Sequence, residues 1–370
     1  MNASGRRYRV AVLGNCCTHG EFVVAALREE ARVDLVAGWE ADPRRARALA
    51  QTLGTQLVLT PAALIEDPHI DVIAISCDPC DKAHWVEEAA AAGKHIFLNK
   101  PFCDSLESAR RIESAVEQHS VQLVHDIIAI RFNPVTAKLL DEVADGVYGE
   151  PLHHAHSFGM TFSVDFPLAE VWPERLDPPS KSGGGELTNL GCYPIDYMVA
   201  LWGLPASVQA KSMRTWDVYR EAEVENFGQI VADYGSFFAV IGAGKQQVAA
   251  LRSLDLAGAL SPRNWHNVLE LQFADANLTV LPYTDLVIRD GQLIPVDEYL
   301  GNFRCPTPFE QLARAIETSV QPASSASVGL FGVEVTMGAY RSIVDGGAVV
   351  ALPLDDGRNP LVKSQERWQI

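Results

Sequence analysis

Lys100 invites a chemical interpretation because it ends a short apolar strand of this sequence. The strand runs from His95 to Leu98, polar Asn99 and Lys100 follow it, and Pro101 stops it because proline cannot donate to a sheet ladder. A lysine at the carboxyl end of a strand in an open α/β sheet lies at the crevice where such sheets bind ligands. We therefore expect Asn99 and Lys100 to be site residues, with a solvated surface lysine as the alternative.

Three polar residues farther along the chain have the spacing of one helix face. Asn189, Tyr193 and Asp196 are separated by four and three residues and follow the glycines at 183–185. Those glycines let the backbone approach a neighbouring group closely. The opposite helix face would carry the apolar residues Ile195, Met198, Val199 and Trp202. The pattern predicts a helix that lines a cleft, and a solvated helix face is the alternative.

The turn after the first apolar strand resembles a phosphate-binding loop in part. Dinucleotide sites use G-x-G-x-x-G there, since glycines permit a tight turn and a close backbone approach to pyrophosphate at a helix N-terminus. Residues 14–20 read G-N-C-C-T-H-G. The first glycine is present, the other two positions hold cysteine and histidine, and the last glycine comes one place late. The predicted cofactor contacts in this loop are Gly14, Asn15, Cys16 and His19, and an ordinary strand-to-helix loop is the alternative.

Glu40 supports the cofactor interpretation. It follows the second predicted strand, where a carboxylate can accept hydrogen bonds from ribose hydroxyls. A negative charge there would repel a 2′-phosphate, so NAD is favoured over NADP. Arg44 and Arg45 weaken that preference, although solvated helix charges are the interpretation we favour for them.

The composition limits the classes of partner. The chain has 370 residues and a formal net charge of −17, which disfavours nucleic acid and anionic membranes as partners. Its apolar runs are strand-sized or broken by charge, so we expect no membrane-spanning helix and, since residues 1–7 are polar, no secretion signal. Seven scattered cysteines do not suggest a disulfide framework. We expect a cytoplasmic location.

Strands and helices alternate in the first half of the chain, which indicates a parallel sheet with helical crossovers. Residues 1–128 are predicted to form a Rossmann-type NAD-binding domain. Hairpin patterns follow, with turns at 234–236, 275–277 and 290–291, so residues 129–370 are predicted to form a substrate-binding and oligomerisation domain. The fold class is α/β plus α+β: a parallel sheet domain, then a large, mostly antiparallel open sheet flanked by helices. Residues 163–182 are expected to be a loop over the cleft, and the closing helices at about 306–319 and 329–345 could pack on the first domain.

Several segments, in order, resemble one protein family. Residues 92–101 resemble the A-G-K-H-V-x-x-E-K-P segment of the Gfo/Idh/MocA oxidoreductases. Residues 183–196 resemble the G-G-G-x-L-x-D-x-G-x-H-x-x-D motif of that family. Shorter matches occur at 131–134, 146–149 and 329–354, so the resemblance covers nearly the whole chain.

The resemblance implies a nicotinamide-dependent dehydrogenase acting on a secondary hydroxyl of a sugar, inositol or related polyol. Tyr193 stands where many family members have a histidine that handles the proton and one branch has tyrosine, so Tyr193 is the predicted acid/base. Lys100 would tune it and bind the substrate hydroxyl, since a nearby ammonium favours phenolate. Asn189 and Asp196 would orient the substrate or Tyr193. Family members commonly pair through the open sheet, which implies a homodimer or homotetramer.

The cofactor site implied by the resemblance extends beyond the glycine loop. His84 matches a histidine that the family often has in the helix after the strand at 71–76. Cys77 and Asp78 directly follow that strand, near the expected nicotinamide. Asn99 and Lys100 complete the predicted cofactor contacts.

Four signature positions depart from the family pattern: Cys16, His19, Asn99 and Asn189. Asparagine can hydrogen-bond to a hydroxyl, but it cannot act as a base. Two other classes of function therefore stay open. The first is a redox-neutral enzyme in which tightly held NAD oxidises a sugar transiently, and the second is an inactive binding protein of the same fold.

We predict no metal site. Cys77 and Cys80 have a spacing seen in redox and zinc sites, but no second pair accompanies them, and packing of the thiols in a loop is favoured. His153, His154 and His156 lie in a strand-like segment without a suitably spaced acidic partner. A sheet-face or cleft-lining role is therefore favoured over metal ligation.

Overall fold

A computed structural model describes residues 5–16, 19–54, 57–127, 130–247, 264–282 and 286–362. The chain divides into two compact units. The N-terminal unit contains residues 1–126 and 307–330, and the C-terminal unit contains residues 127–306 and 331–370. Positions 1–4, Cys17 and Thr18 of the glycine loop, and the predicted boundary at 128/129 lie outside the described residues.

The elements follow one another with short connections. The strands are β1 (Tyr8–Leu13), β2 (Val33–Trp39), β3 (Val72–Ile75), β4 (His95–Asn99), β5 (Leu123–Asp126), β6 (Pro151–Phe162), β7 (Ser207–Met213), β8 (Phe227–Asp233), β9 (Phe238–Gln247), β10 (Trp265–Phe273), β11 (Asn277–Leu281), β12 (Leu286–Arg289), β13 (Gln292–Pro295) and β14 (Val350–Ala351). The helices are α1 (His19–Arg28), α2 (Pro43–Leu53), α3 (Ala62–Ile65), α4 (Lys82–Ala91), α5 (Leu106–Gln118), α6 (Pro134–Ala144), α7 (Leu168–Val171), α8 (Pro179–Ser182), α9 (Glu186–Asn189), α10 (Cys192–Trp202), α11 (Asp217–Glu221), α12 (Val296–Leu300), α13 (Pro308–Thr318) and α14 (Ala326–Val344).

The N-terminal unit is built on a five-stranded parallel sheet with the order β2-β1-β3-β4-β5. Strands β3 and β5 are completely buried, as continuous apolar runs covered on both faces of a parallel sheet should be. The predicted Rossmann-type architecture is confirmed. The order reverses between β1 and β3, and open α/β sheets bind ligands at such a switch point.

Local sequence signals set the helix ends in this unit. Asp42 caps α2 by accepting from the backbone N–H groups of Arg44 and Arg45, and Pro43 occupies the first turn. Gly54 ends the helix in the left-handed region, at φ 65°. The similar Thr60-Pro61 signal produces only the four-residue α3.

The C-terminal unit is built on a nine-stranded sheet with the order β13-β12-β11-β10-β6-β9-β8-β7-β14. Neighbouring strands are antiparallel except β6 and β9, which pair in parallel at the centre. The mostly antiparallel sheet predicted from the hairpin patterns is confirmed. At the third predicted turn, Asp290 and Gly291 both have positive φ, at 52° and 79°, as a two-residue hairpin of type I′ requires.

The segment at 163–182 differs from the expected plain loop. It contains α7, α8 and a 3-10 turn at Pro173–Leu176. The prolines that suggested a loop instead begin these short helices, because proline fits the first helical turn, where no N–H partner is needed. Within the described residues, no helix is both long and apolar enough to cross a membrane.

Candidate cofactor and substrate sites

The switch point in the N-terminal unit brings the loops after β1 and β3 into contact. Gly14 has a φ of 90°, and a Cβ added there would lie 2.5 Å from both the Cα and the backbone nitrogen of Cys77. Only glycine permits this approach. The predicted residues Gly14 and Cys77 are therefore assembled at one place, with Gly14 in the role of the first glycine of a phosphate-binding turn.

Gly20 takes the packing role of the third glycine, one position late. A Cβ on Gly20 would lie 2.8 Å from the carbonyl oxygen of Gly14 and 2.6 Å from Oδ1 of Asn15. In dinucleotide-binding folds, the third glycine allows this close packing between helix and strand. The sequence comparison treated Gly20 as displaced, but the start of α1 at His19 lets it serve the same purpose.

Cys16 occupies the position of the second glycine and follows the sheet closely. Its backbone N–H donates to the carbonyl of Ser76 over 2.8 Å. The neighbouring N–H of Asn15 donates to Oε2 of Glu40 over 2.6 Å. These two bonds fix the beginning of the loop before it reaches α1, where His19 lies with its ring centroid 6.1 Å from that of Phe22.

Glu40 is buried at the carboxyl end of β2 and accepts several hydrogen bonds. Besides Asn15, the N–H of Asp42 donates to Oε1 over 2.8 Å, and Nη2 of Arg45 donates to the same oxygen over 3.1 Å. An ionised carboxylate offers about four acceptor positions, so capacity remains for ribose hydroxyls. The two glycines and this carboxylate fit a dinucleotide, and Gly14, Asn15, Cys16, His19 and Glu40 are the residues that would hold it.

Arg45 is not the solvated helix charge that the sequence suggested. Its guanidinium is largely buried and binds both oxygens of Asp78, with Nη1–Oδ1 at 2.8 Å and Nη2–Oδ2 at 3.2 Å. Helix position alone gave no sign of this pair, because Asp78 belongs to a distant loop. Arg44, by contrast, is exposed as expected.

Asn99 and Lys100 are both buried at the same edge of the sheet. Nδ2 of Asn99 donates to Oγ of Ser76 over 2.9 Å, which joins the ends of β3 and β4. Lys82, at the start of α4, is also buried, and its Nζ donates to the carbonyls of Asn99 and Pro101. Lys82 thus fixes the backbone on both sides of Lys100, and nothing in the sequence pattern had marked it.

Asp126 is a further buried acid at this edge, opposite Asn99 in the pairing of β4 and β5. Its Oδ1 has no hydrogen-bond partner among the described residues. Burial raises the pKa of Asp126 from 3.8 to about 7, although the charge of Lys82 acts in the opposite direction. This carboxyl therefore changes its protonation near neutral pH.

His84 lies outside this cluster of buried groups. It is exposed on α4, and its ring centroid lies 4.5 Å from that of Trp85. Its predicted contact with the cofactor stays a prediction.

The C-terminal unit holds the second group of predicted residues on two helices rather than one. Asn189 is the last residue of α9, whereas Tyr193 and Asp196 belong to α10. The single helix face expected from the spacing is wrong because the ladder is interrupted at Gly191, whose N–H bonds back to the carbonyl of Glu186 over 2.9 Å. Pro194 has no N–H and therefore cannot continue the earlier helix.

Asn189 is held by two charged neighbours. Nη1 of Arg175 donates to its Oδ1, and its Nδ2 donates to Oε2 of Glu186 over 2.8 Å. Arg175 comes from the segment at 163–182, whose site role the sequence left unspecified. The amide is therefore oriented by charge on both sides.

Glu186 is the centre of a buried polar network. Lys245 donates to its Oε1 over 2.6 Å and Tyr219 to the same oxygen over 2.5 Å. Burial alone would raise the pKa of Glu186, but the charges of Lys245 and Arg175 outweigh it and hold the pKa below its usual value. The network therefore contains a true buried ion pair.

Glu225 extends the network beneath the glycines at 183–185. It accepts from the N–H of Leu187 over 2.9 Å and from the hydroxyl of Tyr340 over 2.8 Å. Burial raises its pKa to about 6, against the effect of these hydrogen bonds. A Cβ on Gly185 would lie 2.2 Å from the carbonyl oxygen of Glu225, so the glycine run serves this internal contact.

Tyr193 and Asp196 are buried rather than solvated. The ring centroid of Tyr193 lies 5.1 Å from that of Phe158. Asp196 lies 3.4 Å from Nη1 of Arg131, and both side chains are buried. This ion pair gives Asp196 a structural partner, and its predicted role in orienting substrate stays a prediction.

The histidines of β6 have sheet-face positions. His154 and His156 are both buried, and Nδ1 of His154 accepts from Nε1 of Trp202 over 3.0 Å. Burial lowers the pKa of His156 to about 4. Among the described residues, no group of three or more histidine, cysteine or acidic side chains is arranged to hold a metal ion, and the six described cysteines are free thiols.

Two family models match the chain. Residues 8–126 match the oxidoreductase family with an NAD-binding Rossmann fold, and residues 136–254 match the GFO/IDH/MocA C-terminal domain. Together the two matches cover well over half of the chain. The protein belongs to the Gfo/Idh/MocA family. The resemblance found in the sequence motifs is thereby confirmed, as is the NAD-binding Rossmann character of the N-terminal unit.

Individual relatives of this Gfo/Idh/MocA protein differ in their named activities. D-xylose 1-dehydrogenase (NADP(+)) 2 from Haloferax volcanii is 25% identical over 313 residues, which is 83% of this chain and 89% of the relative. Inositol 2-dehydrogenase from Acidothermus cellulolyticus is 30% identical over 158 residues, 42% of this chain and 46% of the relative. With several other curated relatives, the chain matches only about half of their length.

Solved structures share the complete fold. The structure of levoglucosan dehydrogenase in complex with NADH and levoglucosan has a TM-score of 0.73 or more against this chain, namely 0.77, at 17% identity. The match covers 94% of this chain and 100% of that structure. At this identity, the similarity supports the fold alone.

The buried acid Asp126 leads to a prediction about stability. Its folded pKa of about 7 lies above the ordinary 3.8, so stability is greatest below about pH 4 and is lost as the pH rises through 7. The difference corresponds to at most roughly 4 kcal/mol. Asp126→Asn should therefore be stabilised relative to wild type at pH 8 but not at pH 4, as measured by urea denaturation. Exposed Asp81→Asn is the control, and an equal effect of Asp126→Asn at both pH values would contradict the assignment.

The ion pair of Lys245 and Glu186 leads to a second prediction. Lys245→Met leaves a carboxylate buried without its cation, which should cost about 3–5 kcal/mol of unfolding free energy. Denaturant unfolding at neutral pH measures this loss. Lys211→Met, at an exposed position of β7, is the matched control and should change stability little. A loss for Lys245→Met as small as that of the control would show that the pair is unimportant.

Proposed function

We propose that this protein is a nicotinamide-dependent oxidoreductase that transfers a hydride between NAD and a secondary hydroxyl of a sugar, inositol or related polyol. The observation that carries the proposal is the arrangement at one edge of the N-terminal sheet. Gly14, Gly20 and Glu40 form a dinucleotide-type site there, and Lys100 ends a strand of the same sheet. Family membership and the names of the relatives support the same class of reaction.

The chain's own groups would bind and orient the reactants. Bound NAD would accept the hydride from the alcohol carbon. Glu40 would accept hydrogen bonds from the ribose, and the backbone at Gly14 and Gly20 would allow the pyrophosphate to approach. Lys82, through the carbonyls that it binds, would keep Lys100 in a fixed position.

We assign proton transfer to the phenol of Tyr193 and binding of the reacting hydroxyl to Lys100. A neighbouring ammonium favours phenolate and so lowers the pKa of a phenol toward neutrality, where general bases work best. Asn189 is suited to bind a substrate hydroxyl, because its amide is already oriented by Arg175 and Glu186. Asparagine can donate and accept hydrogen bonds here, but it takes no proton.

Tyr193→Phe tests the assignment of the acid/base. It keeps the ring that packs on Phe158 and removes only the hydroxyl, so kcat for sugar or polyol oxidation should fall by roughly 10²–10⁴-fold while the Kd for NAD is unchanged. The measurement combines NADH formation, with a panel including D-xylose and myo-inositol, and calorimetric titration of NAD.

Tyr197→Phe is the matched control for that experiment. Tyr197 lies one helical turn farther along α10, and its hydroxyl donates to the carbonyl of Thr136 over 2.9 Å. The control should keep its kcat. Full activity of Tyr193→Phe would refute the assignment, and a wild-type protein that binds no NAD would refute the proposed function. NAD that stays bound through turnover without net NADH formation would instead indicate the redox-neutral alternative.

We also propose that the protein is a homodimer or homotetramer joined through the open sheet face, defined here by Ala155, Val231, Phe238, Val240 and Leu293. Strand pairing places these side chains on one side of the sheet. Phe238 and Leu293 are 55% and 61% exposed, which is unusual for large apolar side chains in one sheet. A second copy would bury them.

Light scattering coupled to size-exclusion chromatography tests the assembly. Wild type should have twice or four times the mass of one chain, and Phe238→Asp should shift it toward the monomer because a buried unpaired charge opposes association. Leu59→Asp, at another exposed apolar position but in the N-terminal unit, is the control and should leave the mass unchanged. A monomeric wild type would overturn this proposal.

A further inference from the structure

Arg45 and Asp78 form an ion pair beside the proposed ribose-binding carboxylate. Resting on the proposed function, we infer that Asp78 determines cofactor specificity: it holds Arg45 away from a 2′-phosphate and so makes the adenosine site selective for NAD over NADP. The residues involved belong to three different loops or helix starts of the N-terminal unit, after β2, in α2 and after β3.

Arg45 is well placed to bind a 2′-phosphate if nothing else occupied it. Its Nη2 lies 3.1 Å from Oε1 of Glu40, the carboxylate expected to mark the ribose hydroxyls. Its backbone is also fixed, since the carbonyl of Arg45 accepts from Nδ2 of Asn15 over 3.1 Å. A guanidinium at this distance from the ribose acceptor is the feature that accommodates NADP in dinucleotide-binding folds.

Asp78 removes that capacity in the wild-type chain. It binds Nη1 and Nη2 of Arg45 together, at 2.8 and 3.2 Å. Charge-assisted pairs of this two-pronged kind are strong and geometrically specific. With Glu40 on the same guanidinium, one positive charge faces two negative charges, so the group as a whole is anionic. Its side chains are largely shielded from water, being 17%, 9% and 3% exposed for Arg45, Asp78 and Glu40, so solvent screens this charge weakly.

A neutral side chain at position 78 should reverse the preference. Asp78→Asn keeps the shape and one hydrogen-bond acceptor, but it removes one negative charge and the second prong of the pair. The remaining group is then electrically neutral, and the Arg45 guanidinium can turn to an incoming phosphate. Binding of NAD, which lacks the 2′-phosphate, should change much less.

The decisive experiment measures the Kd values of NAD and NADP by calorimetry for wild type and Asp78→Asn at fixed ionic strength. We expect the Kd of NADP to fall on the order of tenfold in Asp78→Asn, with the Kd of NAD changed by no more than about threefold. Higher salt should weaken the new NADP binding, since it rests on charge attraction.

Two further variants separate the ion pair from other effects. Asp81→Asn removes the same charge from an exposed position three residues along the loop, and it should not improve NADP binding. Asp78→Asn combined with Arg45→Gln should lose the improvement, because the phosphate then has no cation to bind.

The possible outcomes all bear on the inference. An unchanged ratio of the two Kd values in Asp78→Asn, an equal gain in Asp81→Asn, or a gain that survives Arg45→Gln would each overturn it while leaving the proposed function in place, provided that wild type binds NAD. If wild type and Asp78→Asn both bind neither nucleotide, the proposed cofactor site and the inference fail together.

Discussion

A charge taken out of water is stable only where partners replace the water, and both units of this chain meet that requirement at their candidate sites. In the N-terminal unit, Arg45 binds two carboxylates and Lys82 binds the carbonyls on either side of Lys100. In the C-terminal unit, Lys245 pairs with Glu186, which in turn orients Asn189. The same bonds that satisfy buried charge therefore hold the residues assigned to cofactor and substrate.

Close backbone contact is the second requirement, and glycine supplies it in each unit. Gly14 and Gly20 let the loops at the switch point touch, and Gly185 lets α9 approach Glu225. The contact, rather than the number of a glycine in a motif, is what the cofactor loop needs. This explains how a family member can have cysteine and histidine at two glycine positions of the motif and still build a loop of the dinucleotide-binding kind.

The fold was largely predictable because its signals are local. Continuous apolar runs such as β3 indicated a parallel sheet, and turn residues such as Asp290-Gly291 indicated hairpins. The parallel pairing of β6 with β9 was not predictable, because it joins segments far apart in sequence and leaves no local pattern. The helix expected through Asn189 and Asp196 failed for a local reason that the spacing hid, since Pro194 cannot donate the hydrogen bond that would continue it.

The sequence by itself determined the family, the two kinds of sheet and the chemical types present at the site, because motif spacing and hydrophobic period are properties of neighbouring residues. Only the tertiary structure decided which charges meet. Arg45 was a helix charge in the sequence, but folding placed it against Asp78, and Lys82 and Glu186 became visible only through their partners. Ion pairing depends on distance in space, and distance in space between remote residues is set by the packing of the whole sheet.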